Sequence, residues 1–164
     1  MNILYLHGLE SKLSPEKRAI LEQYGKVLAP DLDYHNNPST IESILKDHSE
    51  EKIDAVVGSS MGGFAGYYLS SLLNIPALLF NPALYARTVE QRIPPLLGRV
   101  KHFKRIIIGL EDEVVNPIRS VVFLGENLEV EVDLDIRVRT GMAHRVPVDV
   151  FEQELEDFFR VVNS

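Results

Sequence analysis

The chain has 164 residues, no cysteine and a formal net charge of −7, from 17 Lys and Arg against 24 Asp and Glu. The length fits one domain, and the lack of cysteine excludes disulfides, thiolate catalysis and cysteine-ligated zinc. The acidic balance argues against nucleic acids and anionic membranes as partners, because both are bound through basic faces. The basic group of Arg99, Lys101, Lys104 and Arg105 is interpreted as a solvated loop leading into a strand.

Short apolar runs alternate with helical patterns along the chain. Strands are predicted at residues 3–6, 27–29, 55–57, 77–80, 106–108 and, more weakly, 130–138. This alternation is typical of a parallel sheet with helices on both faces. The second to fourth runs are continuously apolar, which predicts central strands. The sixth alternates apolar and charged residues, which predicts a half-exposed edge strand.

Helical patterns lie between the predicted strands. They cover residues 15–24, 40–48 and 61–73, and two more are expected after Pro117 and from near Pro147. The helix at 61–73 is apolar on nearly all sides and is expected to be buried. The first run, at residues 3–6, has no basic segment before it and ends quickly, so it is predicted to be neither a signal peptide nor a membrane span. We expect a single soluble cytoplasmic domain over residues 1–164.

The strongest local signal is the motif Gly-Ser-Ser-Met-Gly at residues 58–62, between a predicted strand and a predicted helix. Gly-x-Ser-x-Gly in this context is typical of a nucleophile elbow, a sharp turn that exposes a serine. Glycines two residues before and after the serine let strand and helix approach without a Cβ clash. Only Ser60 has glycine at both positions, which predicts it as the nucleophile. A glycine-rich turn without catalytic function is the alternative.

A serine nucleophile needs a histidine base and a carboxylate that orients the base, in the chain order serine, acid, histidine. Three carboxylates follow the predicted strand at 106–108. The carboxyl ends of strands in open α/β sheets border the crevice where ligands bind, so an acid here is well placed. Asp112 is favoured as the acid, with Glu113 and Glu111 as alternatives, and an acidic surface loop remains open. His144 lies between the last predicted strand and the last predicted helix. The histidine base is expected in this loop when the serine lies on a strand–turn–helix elbow. A surface histidine without function is the alternative there.

Two other histidines are interpreted as non-catalytic. His102 precedes a strand at the far end of the sheet and is predicted to lie on the surface. His7 precedes Ser60 in the chain and is expected to hold its own loop by hydrogen bonds. Two backbone amides are predicted to bind the oxyanion, each worth about 2.7–4 kcal/mol in the transition state. They belong to Met61, which follows the nucleophile, and to Leu9, in a loop that turns at Gly8.

In these landmarks the chain resembles the small bacterial esterases of the YqiA type, within the α/β-hydrolases. The likeness rests on short motifs at residues 4–8, 58–63, 81–83, 112–114 and 141–144, in the order found in the family. It implies a compact sheet that lacks the first strands of larger hydrolases, and esterase activity on short acyl esters. It also implies the roles of nucleophile, acid and base for Ser60, Asp112 and His144.

The residues and the resemblance together predict a three-layer α/β-hydrolase fold with a mainly parallel six-stranded sheet. The expected activity is hydrolysis of a small-molecule ester through an acyl-enzyme. A thioester substrate is the first alternative, and a non-catalytic binding protein that retains the fold is the second. No cofactor is expected, because the expected chemistry needs none, and no metal is expected, because His144 and the acidic triplet offer no close ligand pair.

The segment at residues 81–98 is predicted to form a minimal cap over the nucleophile. It contains more apolar side chains than a surface loop without function should expose, namely Leu84, Tyr85, Val89, Ile93, Leu96 and Leu97. A cap this short would enclose only a small acyl pocket. Packing of the same side chains on the sheet edge is the alternative.

Overall fold

The computed structural model describes residues 1–96 and 100–164. In this part of the chain, six strands and five helices alternate: β1 (Asn2–Leu6), α1 (Pro15–Glu22), β2 (Lys26–Leu28), α2 (Thr40–Asp47), β3 (Ala55–Ser59), α3 (Met61–Leu73), β4 (Ala77–Phe80), β5 (His102–Gly109), α4 (Pro117–Glu126), β6 (Val132–Arg139) and α5 (Val148–Val162). The strands form one sheet in the order β2-β1-β3-β4-β5-β6, and every neighbouring pair is parallel. Helices α2, α3 and α4 cover one face and α1 and α5 the other. This confirms the predicted three-layer α/β architecture.

The order of strands in the sheet corrects one prediction. The apolar run at residues 27–29 was expected to be central, but it forms β2, a short edge strand that is at most half-buried. Its apolar side chains still pack against the helices on both faces, which explains the pattern. The fully buried β3 and β4 are central, as predicted. β6 lies at the opposite edge, also as predicted, although Val130 precedes the strand and is exposed.

Two apolar layers hold the helices on the sheet. On one face α3 packs Phe64 and Leu69 against the central strands, and on the other α5 packs Phe151 and Phe158. Each buried side chain of this size contributes roughly 1.5–3 kcal/mol relative to exposure. The helix α3 is buried over most of its length, as its apolar surface predicts. No helix in residues 1–96 and 100–164 is long and apolar enough to cross a membrane.

Three polar residues predicted to be exposed are instead buried at the start of β5. This strand extends further toward its N-terminus than the apolar run at 106–108 indicated, so that Lys104 and Arg105 belong to it and are 0% and 2% exposed. Lys104 Nζ donates to Ser71 Oγ at 2.6 Å, and Arg105 Nε donates to Asp135 Oδ2 at 2.7 Å. His102 is also buried, and its Nδ1 lies 2.8 Å from the Val100 carbonyl oxygen.

The prediction of a solvated loop is therefore wrong for Lys104 and Arg105, and that of a surface position is wrong for His102. Burial of these groups is tolerated because their polar atoms find partners inside the protein. Lys104 also places its ammonium 3.9 Å from the centroid of the Tyr67 ring, a cation–π contact. Of the other two basic residues in the group, Lys101 is exposed and Arg99 lies outside the described residues.

The segment predicted as a cap packs partly into the core. Leu84 is 2% exposed and belongs to the apolar cluster beneath α3, while Tyr85 and Val89 pack against that cluster. These three side chains therefore pack on the core. Leu97 and Gly98, at the end of the predicted cap, lie outside the described residues.

Candidate active site

Ser60 lies on the turn between β3 and α3. Its backbone has φ 54° and ψ −114°, outside the regions that residues with a Cβ normally occupy. Backbone hydrogen bonds fix this turn: Ser60 N–H donates to the Phe80 carbonyl at 3.0 Å, and Ala83 N–H donates to the Ser60 carbonyl at 3.1 Å. Such strain persists only where the surroundings impose it, and it is frequent at functional sites.

The two glycines of the motif are required by close backbone approaches. A Cβ atom on Gly62 would overlap the carbonyl oxygen of Leu6 in β1, and one on Gly58 would overlap the carbonyl oxygen of Gly62. Any side chain at either position would push α3 away from the sheet. The predicted reason for the glycine spacing around Ser60 is thus confirmed.

The structure brings His144 and Asp112 to Ser60. His144 Nε2 lies 3.1 Å from Ser60 Oγ, and His144 Nδ1 lies 2.8 Å from Asp112 Oδ2. The other carboxylate oxygen of Asp112 accepts hydrogen bonds from the backbone N–H groups of Val114 and Val115, both at 2.8 Å. The network assigns the proton of a neutral His144 to Nδ1, which leaves Nε2 free to accept the proton of the Ser60 hydroxyl.

The two neighbouring carboxylates are placed differently from Asp112. Glu111 accepts a hydrogen bond from the backbone N–H of Gly141 at 3.0 Å, and so connects the acidic loop to the loop that carries His144. Glu113 is exposed. Within the described residues, no group of three His, Asp or Glu side chains is arranged to hold a metal ion.

Asn81 is a buried residue of the site to which the sequence assigned no role. It follows β4 and has a positive φ of 42°. Its side-chain amide donates to the carbonyl oxygens of Ala143 and His144, both at 3.0 Å, and its Oδ1 accepts from Gly109 N–H at 2.7 Å. Asn81 thereby joins the ends of β4 and β5 to the histidine loop. The Asn-Pro-Ala motif after a buried strand was the available sequence signal.

Asn81→Asp is expected to lower kcat by about tenfold while the fold is retained. The aspartate keeps the oxygen that accepts from Gly109 N–H, but its second oxygen replaces the NH₂ group that donates to the Ala143 and His144 carbonyls. Leaving a buried polar group without its hydrogen bond costs about 1–3 kcal/mol. Kinetics on a short ester, with circular dichroism as the control for folding, would check this. Since Asn81 acts through His144, labelling by a fluorophosphonate probe should slow in parallel. A normal labelling rate would contradict the positioning role.

The loop after β1 packs against Ser60. Gly8 is close enough to Ser60 that a Cβ on it would lie 3.2 Å from the Ser60 Cβ atom. His7 holds the loop, since its Nδ1 donates to the Gly8 carbonyl at 2.7 Å and its Nε2 accepts from Leu32 N–H at 2.8 Å. Tyr34 donates its hydroxyl proton to the His7 carbonyl at 2.8 Å, and burial raises the pKa of Tyr34. The predicted hydrogen-bonding role of His7 is confirmed.

Ser60 and His144 open into a cavity of about 930 Å³. Leu9 and Met61, whose amides were predicted to bind the oxyanion, both line this cavity. The predicted cap segment contributes part of the wall through Ala83, Ala86, Arg87 and Thr88. Leu84, in the same segment, is buried in the core instead.

Solved structures of similar shape place the chain in the α/β-hydrolase fold. SOBER1 from Arabidopsis thaliana has a TM-score of 0.70 at 15% identity, with 100% of this chain and 99% of that chain covered. Est1E from Butyrivibrio proteoclasticus has a TM-score of 0.71 at 14% identity, covering 99% and 88%. A monoacylglycerol lipase from Paleococcus ferrophilus has a TM-score of 0.70 at 15% identity, covering 99% and 94%. At these identities the likeness establishes the fold alone.

A sequence profile gives the family within this class. The profile of the uncharacterised protein family UPF0227 matches residues 2–105, more than half of the chain. The chain therefore belongs to this family, which is the YqiA-type family that its motifs predicted. The match includes the glycine-flanked turn at Ser60 and ends within β5, ahead of Asp112 and His144.

Proposed function

We propose that this protein is a serine hydrolase that cleaves short acyl esters through an acyl-enzyme on Ser60. The observation that carries the proposal is the continuous contact from Ser60 Oγ to His144 Nε2 at 3.1 Å and from His144 Nδ1 to Asp112 Oδ2 at 2.8 Å, at the wall of an open cavity. A hydroxyl, an imidazole and a carboxylate in this order are the parts of a serine-hydrolase triad. The structural neighbours include a monoacylglycerol lipase, which supports ester hydrolysis.

In the proposed first half-reaction, Ser60 Oγ attacks the ester carbonyl carbon while His144 Nε2 takes the hydroxyl proton. The tetrahedral intermediate collapses by breaking the bond to the alcohol oxygen, which leaves with the proton from His144. In the second half-reaction His144 takes a proton from water, the hydroxide attacks the acyl-enzyme, and Ser60 leaves with that proton. The sum is one ester and one water converted into one acid and one alcohol.

Asp112 and two backbone amides complete the proposed mechanism. Two backbone N–H groups donate to one oxygen of Asp112 and hold the carboxylate in place. Its other oxygen bonds to His144 and stabilises the imidazolium that forms in each step. We propose that the backbone N–H groups of Met61 and Leu9 stabilise the negative charge that develops on the substrate carbonyl oxygen. Support for this comes from their positions, since one follows the nucleophile at the start of α3 and the other lies beside Gly8, which packs on Ser60.

The kcat/KM for para-nitrophenyl esters is expected to peak at short acyl chains and to fall as the chain lengthens. The wall around Ser60 includes Lys12, Lys17 and Arg145, and a long alkyl chain laid against these groups would strip water from them without replacing their hydrogen bonds. Each methylene would then forgo its favourable burial of about 0.8 kcal/mol. A series of graded acyl length measures this, and a profile that rises through long chains would contradict it.

A matched thioester and a covalent probe separate the remaining alternatives. If the thioester of the best acyl group is turned over faster than the oxygen ester, the substrate class is a thioester and the mechanism is unchanged. If a fluorophosphonate probe leaves the protein unlabelled and no ester is cleaved, the protein is a non-catalytic member of the fold.

A further inference from the structure

The cavity at Ser60 has a basic wall in an acidic protein. The described residues that line it include four cations, Lys12, Lys17, Arg87 and Arg145, and one carboxylate, Glu10. The whole chain has the opposite balance, with 17 basic against 24 acidic residues. Glu10 is itself occupied, because one of its oxygens lies 3.2 Å from His35 Nε2. The charge of this wall therefore differs in sign from that of the protein as a whole.

Two of the four cations have other partners. Lys12 is exposed and forms an ion pair with Asp31 at 3.2 Å. Arg87 donates to the Leu84 carbonyl at 2.8 Å, and its guanidinium carbon lies 4.1 Å from the centroid of the Phe64 ring. These contacts pair Lys12 with a surface carboxylate and hold the Arg87 guanidinium against the Phe64 ring.

Lys17 has contacts of the same kind as Arg87, since its ammonium lies 5.1 Å from the centroid of the Phe151 ring, but it differs in lying beside a second cation of the wall, Arg145. Among the described residues neither forms an ion pair with a carboxylate. Lys17 is half-buried, and its ammonium donates at 2.7 Å to the carbonyl oxygen of Val146, the residue after Arg145. Two positive charges thus lie on one stretch of the cavity wall. Arg145 directly follows His144 in the chain, and Lys17 bonds to the next residue, Val146. Burial, and then the charge of Arg145, lower the pKa of Lys17.

We propose that Lys17 and Arg145 form an anion subsite, which binds a carboxylate or phosphate carried by the substrate beside its ester bond. This inference rests on the proposed function of Ser60 and specifies its substrate class as an anionic ester. An anion between the two cations would relieve their mutual repulsion and accept hydrogen bonds from both. Charge-assisted bonds of this kind are the stronger ones in proteins. Ser60 and His144 line the same cavity, so one substrate can span both sites.

Matched pairs of esters that differ in charge test the subsite. On the acyl side the pair is para-nitrophenyl hexanoate and the para-nitrophenyl monoester of adipic acid. On the alcohol side the pair is para-acetoxybenzoate and its methyl ester, and para-acetoxyphenyl phosphate distinguishes phosphate from carboxylate. The measured quantity is the ratio of kcat/KM for the anionic ester to that for the neutral one, at low and at high salt.

In at least one pair the wild-type protein is expected to prefer the anionic ester, and added salt is expected to weaken that preference. Arg145→Gln, a change at an exposed position, should lower the ratio by about tenfold, the value of one charge-assisted hydrogen bond. Lys17→Gln should lower it as well. Arg18→Gln is the matched control, because it removes the same charge from the neighbouring residue of α1, which pairs with Glu22 away from the cavity. This control should leave the ratio and the basal activity unchanged.

The outcomes for the subsite and for the reaction are distinguishable. A ratio near one in every pair, or an equal ratio in the wild type and in Arg145→Gln, would overturn the anion subsite and leave ester hydrolysis standing. If no ester is cleaved, calorimetric binding of para-acetoxybenzoate and its methyl ester to the Ser60→Ala variant decides the subsite alone. Binding of the anionic compound that Arg145→Gln weakens would retain the subsite without the reaction. Equal binding of the two compounds would overturn it.

Discussion

Replacing Ser60 by alanine is expected to abolish labelling by a fluorophosphonate probe and to lower turnover by up to about 10⁶. The substitution removes the only atom proposed to form a covalent bond with the acyl group. The backbone bonds that hold the turn, from Ser60 N–H to Phe80 and from Ala83 N–H to Ser60, do not involve the hydroxyl and should persist. Thermal unfolding of the variant should therefore match that of the wild type.

Ser59→Ala is the matched control for this experiment. Ser59 is the last residue of β3 and also lines the cavity, but the hydroxyl bonded to His144 belongs to Ser60. The Ser59 variant should keep most of the activity and all of the labelling. Labelling that survives in Ser60→Ala and maps to Ser59 would show that the nucleophile is assigned to the wrong serine.

Asp112→Asn is expected to lower turnover by about 10⁴ with little change in structure. The asparagine oxygen can still accept from the N–H groups of Val114 and Val115. Its NH₂ group then faces His144 Nδ1 and donates to it, which moves the imidazole proton to Nε2. In that tautomer Nε2 cannot accept the proton of the Ser60 hydroxyl, so the nucleophile is not activated. The drop should appear in kcat and in the rate of probe labelling.

The neighbouring acids provide the controls for Asp112. Glu113→Gln should cost less than tenfold, because this side chain is exposed. Glu111→Gln should also cost less than tenfold, since glutamine retains an oxygen that can accept from Gly141 N–H. If Glu113→Gln proves the most damaging of the three substitutions, the acid of the site is not Asp112.

Features of the site that depend on neighbours in the chain are predictable from the sequence. The glycines around Ser60 mark the elbow because the turn brings backbone atoms of β1, β3 and α3 into contact, and any sequence that forms the turn needs them. The chain order of serine, acid and histidine, together with the predicted strand ends, restricts the candidates to Ser60, His144 and the three acids at 111–113 before any distance is known. The alternation of strands and helices likewise predicts a parallel sheet, because parallel strands need a crossover between them.

Burial of polar side chains was not predictable in the same way. Lys104, Arg105 and His102 have the composition of a surface loop, yet they lie inside β5 because Ser71 and Asp135 come from other elements to bond with them. Leu84 was expected at the cavity and lies in the core for the converse reason, since α3 and the central strands offer it an apolar environment. Whether a side chain is exposed depends on what packs against it.

The sequence by itself determined the order of the elements, the strand–turn–helix at Ser60 and the small set of residues that could serve it, because these follow from local sterics and periodicity. Only the tertiary structure decided which distant groups meet. Asn81 joins the histidine loop to the sheet across more than 60 residues, and Lys17 reaches Val146 from 129 positions away. The sequence does not show which residues Asn81 and Lys17 bond to, because hydrogen bonds between distant segments depend on how the helices and strands pack together.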